Sequence, residues 1–513
     1  MVNPDSAEGR FFPRVLAHRF PWLFGPGTGF GSRVANAATW AFLLRIAFKV
    51  LDFIRTVVLA RLIAPDDFGL MGIAMLVISL VQAFTSLGLS SALVQRKDEL
   101  EPEYLNTAWT VEIIRGLSLG VLLLVSAPLV GVFFDAPEAA SLTQLMAIGL
   151  MIGGFANVAV VAFDRNLEFQ RRFMYRLVPN LADLIVSVGL ALLLRNAWAL
   201  AAGWVVSRLA TVIASYVAHS YRPRLRWDQE RAATLLRFGI WLLGSQILIY
   251  LMLNLDDIWV GRLLGATALG FYQMAFTLSQ VMTTEVTSVV NSVAFPAYAR
   301  LQDDTPRLRR AYLGSLQFVA FVSFPMAAGL WFVGEQAVET LLGEKWLPAL
   351  PAFYVLLIWG LIRSLLATTG PLFQAVGRPG IATRIQVFQV VLLAVAIFPM
   401  TNEWGIVGAA WATVVAAVVP DAVALVRASR ITAATPREIM PVILVPLFQS
   451  ALMYALLLGL REWGFSDGAV VLFWAPVVGI VTYALMTVAS RRLFGYAREG
   501  LLPRGGGTQP SKT

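Results

Sequence analysis

Long apolar runs, broken by short polar connectors, recur from residue 38 to residue 490. A bilayer core of about 30 Å needs roughly 20 helical residues to cross it. Fourteen runs come close to or exceed that length: 38–60, 69–94, 107–134, 141–163, 177–195, 198–219, 238–260, 268–295, 311–333, 349–370, 384–400, 405–426, 440–460 and 469–490. The pattern therefore predicts an all-α polytopic membrane protein with about fourteen transmembrane helices. Composition agrees: 58% of residues are hydrophobic and 14% charged, with a mean hydropathy of +0.71, whereas soluble domains carry about 25% charged residues.

Charge sets the expected orientation. Of 40 Lys and Arg residues, 29 fall on the side of the N-terminus and five in the alternate loops: Arg61, Arg195, Arg262, Lys345 and Arg461. The positive-inside rule then puts both termini in the cytoplasm of a bacterial inner membrane. The densest basic loops, 164–176 and 221–237, read as topology determinants that touch anionic membrane lipids. Trp198, Trp346, Trp404 and Trp463 border the opposite loops as interfacial anchors.

Several chemistries are excluded. The first 30 residues lack an apolar core and a cleavage site, so no signal peptide is expected. The stretch GPGTGFG at 25–31 follows no strand and lacks the Lys-Ser/Thr ending, which makes it a linker and not a phosphate loop. With no cysteine and only His18 and His219, the chain offers no ordinary zinc, cluster or disulfide chemistry. No cofactor and no nucleic-acid partner is expected.

A phrase occurs twice. ARLIAPDDFGL at 60–70 returns 201 positions later as GRLLGATALGF at 261–271, aligning Arg61 with Arg262 and Gly69 with Gly270. Six helices separate the two starts, so both phrases end an outward-running helix. The chain then divides into a basic, aromatic N-terminal segment (1–37), an N lobe (38–219), a basic linker (220–237), a parallel C lobe (238–430), an extra helix pair (438–490) and a basic tail (491–513). Two pseudo-symmetric six-helix lobes around a central site form a transporter plan.

Six basic residues lie inside helices: Arg45, Lys49, Arg55, Arg115, Arg208 and Arg363. Each costs about 2.5 to 3.5 kcal/mol at the bilayer centre on insertion scales, so each should face a wet cavity or a partner. Arg45, Lys49 and Asp52 share one stripe of helix 1, and Asp52–Arg55 and Glu112–Arg115 are candidate internal pairs. The surplus suits an anionic head group, and a phosphate or diphosphate is the obvious polyanion. Carried back by the 201-residue offset, Arg55 stands against Asp256 and Thr56 against Asp257. An Arg55–Asp256 pair across the lobes is one expected form of an outer gate.

The stretches VLARLIAPDDFGLMGIAM (58–75), LGLSSALVQRKDE (87–99), NLDDIWVGRLLGATALGFYQMAFTLSQV (254–281) and FPAYARLQDD (295–304) resemble the polysaccharide transporters of the multidrug/oligosaccharidyl-lipid/polysaccharide flippase superfamily, most of all exporters of colanic-acid and teichuronic-acid type. The resemblance runs from about residue 35 to 430. It implies alternating-access flipping of a polyprenyl-diphosphate-linked oligosaccharide to the outer leaflet, for exopolysaccharide, capsule or O-antigen-type assembly, with a polysaccharide polymerase and other export proteins as partners. It also implies that helix 1 touches the substrate head group. Lys49, Arg55 and Arg61 match the six-residue spacing of basic residues in the lipid II flippases of the superfamily, with a lysine where they begin with arginine. In those flippases the extra helix pair forms a lateral groove for the lipid tail; here plain lipid contact would suit helices 13 and 14 equally.

Two rivals stand beside this reading. A drug/cation antiporter of the superfamily would use acids such as Asp52, Asp183, Asp256, Asp257 and Glu285, some of which could instead couple transport to an ion. A membrane glycosyltransferase or polymerase would want a large outer loop, but the longest, GEQAVETLLGEKWLP, has about 15 residues. With outer loops that short the chain is expected not to be an enzyme, and with no Walker motif it is expected not to hydrolyse ATP. Candidate sugar-selecting residues are Gln82, Asn157, Gln246, Asn254, Gln280 and Asn291.

Overall fold

The computed structural model describes residues 47–85, 101–166, 168–463 and 468–494. Each of the fourteen expected spans holds a helix in its described part. They are α1 (47–62), α2 (Pro65–Thr85), α3 (Pro102–Phe134), α4 (Pro137–Gly153), α5 (Phe169–Leu194) and α6 (Ala197–Ala218) in the N lobe. The C lobe holds α7 (229–264), α8 (266–301), α9 (Thr305–Ala337), α10 (Leu350–Leu366), α11 (379–404) and α12 (406–432). The last two are α13 (Pro436–Glu462) and α14 (Gly468–Phe494). Among the described residues there is no strand.

Local chemistry sets the helix ends. Proline opens α2, α3, α4, α11 and α13, where its missing N–H has no intrahelical partner to lose. Gly265, at φ 83°, turns α7 directly into α8, and Gly405, at φ 60°, turns α11 into α12. Only glycine adopts such angles without strain. Span 4 differs from expectation: α4 stops at Gly153, and the chain bends by 73° into a short helical segment, Val158–Arg165. Asn157 explains the restart, because its Oδ1 accepts the Ala159 N–H at 3.0 Å and caps the new turn.

The main apolar cluster crosses the lobes, joining Ile73, Leu123 and Met146 to Tyr272, Leu356 and Ala417. A satellite cluster of Phe332, Met453, Leu457, Val471 and Tyr483 packs α13 and α14 against α9. The linker after α6 runs extended along α3. Tyr221 donates to Asn106 at 2.9 Å, the Arg224 N–H to Asn106 at 2.7 Å and the Arg226 N–H to Thr110 at 3.1 Å. Two side chains one helical turn apart thus hold the strap, while Arg222, Arg224 and Arg226 remain exposed.

Candidate functional site

The repeated phrase sits where the lobes meet. A Cβ on Gly69 would lie 1.7 Å from the Ala266 carbonyl oxygen, and one on Gly270 would lie 2.0 Å from that of Pro65. Gly69 and Gly270 are 201 positions apart, as are Pro65 and Ala266, so the contact is reciprocal, as a two-fold axis requires. Thr267 Oγ1 donates to Asp66 Oδ1 at 2.8 Å across the same offset. Around this seam the end of α1 is tied to the segment between α9 and α10. Arg61 donates to the Leu341 carbonyl at 2.8 Å and also to that of Thr340. Lys345 Nζ reaches the Arg61 and Ile63 carbonyls at 3.0 and 2.7 Å, and the fully buried Trp346 donates to Ala60 at 2.9 Å. Arg262, the partner of Arg61 by sequence, instead lies over the Phe133 ring at 5.6 Å. The bundle is closed at this end, the one expected to face outward.

Midway down the N lobe lies a basic cluster. Arg55 pairs with Asp183 of α5, Nε standing 2.8 Å from Oδ2 and Nη2 donating to Oδ1 at 3.3 Å. Arg208 stacks on Trp204 at 4.6 Å and lies within electrostatic range of Asp183 and Tyr175. Asp52 and Lys49 are exposed on α1, one and two turns from Arg55 toward the linker end. Arg115 is held by Glu112 at 2.6 Å, the internal pair that its spacing allows. Arg45 lies outside the described residues.

The expected Arg55–Asp256 gate is not made in this closed arrangement. Arg55 bonds within its own lobe, and Asp256, buried in α7, accepts from Tyr272 at 2.7 Å. The physical reason is position: equivalent residues face each other only near the axis, and Arg55 lies off it, beside α5. Asp256 Oδ1 is buried with no donor among the described residues, while Asp257 accepts from Gln273 at 3.0 Å. Glu285 lies on α8, among side chains outside the description.

Deeper toward the linker end, the C lobe encloses a cavity of about 500 Å³ between α7, α8, α10, α11 and α12. Arg363 and Asp421 both line it, and the Arg363 guanidinium lies 5.1 Å from the centre of the Trp359 ring. Sequence reasoning passed over Asp421, although an acid directly after Pro420 in an otherwise apolar span was a legible signal. It also passed over Gln374, Gln386 and Gln389, which line the same cavity. Of the amides it did name, Asn157 is spent on the cap and on the Tyr221 carbonyl at 2.7 Å, and Asn254 on the Tyr250 carbonyl at 2.9 Å. A second cavity of about 300 Å³, almost wholly apolar, opens between α9, α10 and α13, lined by Phe324, Trp331, Leu357, Leu447 and Tyr454.

A family model described as polysaccharide biosynthesis protein matches residues 58–351. The chain is 28% identical over 367 residues to the lipopolysaccharide biosynthesis protein WzxC of Escherichia coli K12, covering 71% of this chain and 74% of that one. It is 28% identical over 347 residues to the succinoglycan biosynthesis transport protein ExoT of Rhizobium meliloti, covering 67% and 70%. With the teichuronic acid biosynthesis protein TuaB of Bacillus subtilis it shares 26% over 400 residues, covering 75% and 80%. Among solved structures, the lipid II flippase MurJ in an inward closed conformation superposes with a TM-score of 0.73 at 12% identity, over 89% of this chain and 98% of that one. An inward-facing multidrug transporter of the MATE family gives 0.58 at 17% identity, over 76% and 96%. These two likenesses concern the fold.

Proposed function

The chain belongs to the polysaccharide biosynthesis protein family, and from that premise we propose that it flips polyprenyl-diphosphate-linked oligosaccharides across the inner membrane by alternating access. It is a transporter, not an enzyme, and the flipped unit feeds a polysaccharide polymerase on the far side. The observation that carries this reading is the Arg55–Asp183–Arg208 cluster, placed between α1, α5 and α6 in a chain closed at the Arg61 end. Arg55 bonds the Asp183 carboxylate there, and Arg208 lies within electrostatic range of it. A diphosphate entering from the linker end displaces Asp183 from Arg55 and takes both guanidiniums, with Lys49 toward the mouth, because Arg binds phosphate oxygens in bidentate fashion. Arg363, beside Asp421 in the C-lobe cavity, stands apart from this head-group set. Arg115, already matched by Glu112, drops out of the head-group set.

The lipid tail has a place as well. The cavity of about 300 Å³ between α9, α10 and α13 carries almost no polar surface, as the site of an acyl or prenyl chain would. That supports the groove over plain lipid contact for the extra helix pair. The buried Asp256 oxygen with no donor among the described residues supports a role for Asp256 and Asp257 in binding a proton or cation, through which this chain would couple transport to an ion gradient. Cation antiport of a drug is the weaker reading, since the N-lobe cluster carries two arginines to one acid.

Two measurements test this. Arg55→Ala and Arg208→Ala, at wild-type abundance, are expected to abolish surface polysaccharide; wild-type output from both would remove the head-group site. Orientation is checked separately in this cysteine-free chain. Ser220→Cys should resist an impermeant thiol reagent in intact cells, and Asn402→Cys, exposed near the Gly405 turn, should react. The reverse pattern would invert the direction of export.

A further inference from the structure

The cavity inside the C lobe has a lining of a different kind from the basic cluster. Beside Arg363 and Asp421 it presents Thr369 and the amides of Gln374, Gln386 and Gln389. At about 500 Å³ it lies in the size range of small-molecule sites. Gln386 and Gln389 are three residues apart on α11 and so share one face. Counted from Pro379 at 1.5 Å per residue, they stand roughly 10 and 15 Å in from the linker end. None of the three amides makes a hydrogen bond to protein among the described residues, and no ion pair there joins Arg363 to Asp421. Gln386 and Gln389 are half-buried, and their amides are free to bond a ligand that enters the cavity. Gln374 and Phe295 at the rim are exposed, so the cavity is not sealed.

The mix of donors and acceptors selects among ligands. A diphosphate accepts only, so Asp421 would repel it and the acceptor half of each amide would go unused. A cationic drug would meet Arg363. A run of sugar hydroxyls, each both donor and acceptor, matches amides, a carboxylate and a guanidinium together, and Phe295 and Phe373 give its C–H faces apolar contact. Resting on the flippase reading above, we infer that this C-lobe recess binds the sugars of the lipid-linked oligosaccharide, and that Gln386 and Gln389 select which sugars pass. Head group and sugar then divide between the lobes, with the diphosphate at Arg55 and Arg208 and the carbohydrate opposite.

The test uses the purified full chain with two probes: farnesyl diphosphate, which has no sugar, and the polyprenyl-diphosphate oligosaccharide extracted from the native membrane. The variant is Gln386→Met with Gln389→Met, which keeps length and removes both amides. Affinity for the oligosaccharide lipid is expected to fall tenfold or more, while affinity for farnesyl diphosphate stays within twofold of wild type. The second probe reports a folded protein with an intact head-group site. Unchanged affinity for the oligosaccharide lipid would overturn the sugar site and leave the flippase reading standing. An equal fall for both probes would also overturn it, since the glutamines would then support the fold or the head group. If the wild-type protein binds neither probe, the flippase reading itself fails.

Discussion

Asp66 and Thr267, 201 positions apart, hydrogen-bond to each other where the lobes meet, whereas Arg55, carried the same 201 positions, becomes Asp256. Near the axis the lobes are alike: glycine against carbonyl on both sides, with no room for a Cβ on either. Away from it they diverge. The N lobe sets Arg55 and Arg208 near one acid, Asp183, and the interior of the C lobe holds Asp256, Asp257 and Asp421 with Arg363. Symmetry is kept where two backbones must touch and close. It is lost where the cavity must recognise an asymmetric molecule, charged at one end and polyhydroxylated at the other.

The largest expected effect comes from breaking the likeness. Gly69→Ala and Gly270→Ala each place a methyl inside a facing carbonyl, and overpacking of this kind costs about 3 kcal/mol. Against the closed seam that is a factor of roughly 150 in population. Export should collapse in both variants. Val57→Cys, half-buried beside Trp346, should become open to an impermeant thiol reagent to the same extent in each. A strong effect from one glycine and none from the other would mean that the seam is not two-fold.

Next in size is the difference in charge. Arg55→Ala and Arg208→Ala each remove a charged hydrogen-bonding group worth about 1.5 to 3 kcal/mol, so farnesyl diphosphate binding should weaken about 10- to 100-fold. Asp256→Asn, at the equivalent place in the C lobe, should leave that binding unchanged. Asp183→Asn sharpens the contrast further. It frees Arg55 from its present partner, and farnesyl diphosphate should then bind several-fold more tightly. Weaker binding would show that Asp183 positions Arg55 for the ligand and does not compete with it.

How far the sequence foresaw this differs by place. Fourteen helices and the repeat were legible because apolar length and a repeated phrase are local signals, whereas the contact between the two copies of the phrase came only with the structure. The partner of Arg55 was not, because an offset tells which residues are equivalent, not which are adjacent. Across a two-fold axis Gly69 meets Ala266, the equivalent of Pro65, and not Gly270 alone. Arg55 lies off the axis, so its neighbour Asp183 comes from its own lobe, 128 positions away. The C-lobe recess was visible only in fragments, as Gln386 and Gln389 three apart in an apolar span and Asp421 behind a proline. Nothing in a linear reading joins α10, α11 and α12 around one volume. The role of Lys345 and Trp346 was hidden for the same cause: they read as loop and interfacial anchor, yet they bond the backbone at the end of α1.

The smallest effect expected concerns Arg61 and Arg262, the aligned pair that treats the two lobes unequally at the seam itself. Arg61 donates to the Leu341 and Thr340 carbonyls and so ties α1 to the segment before α10. Both contacts are exposed, which limits their worth to about 1 kcal/mol in net terms. Arg262 has a ring beneath it, the face of Phe133 at 5.6 Å, and an exposed cation–π contact is worth roughly 0.5 kcal/mol. Truncating Arg61 to alanine should therefore raise labelling of Val57→Cys about fivefold by loosening the closed end, and truncating Arg262 should raise it about twofold. Arg61→Lys should fall between, since one ammonium reaches one carbonyl well and cannot fork to two. Equal labelling in the two alanine variants would mean that closure depends on the α2–α8 seam alone, and that the tie from α1 to the α9–α10 segment contributes nothing measurable.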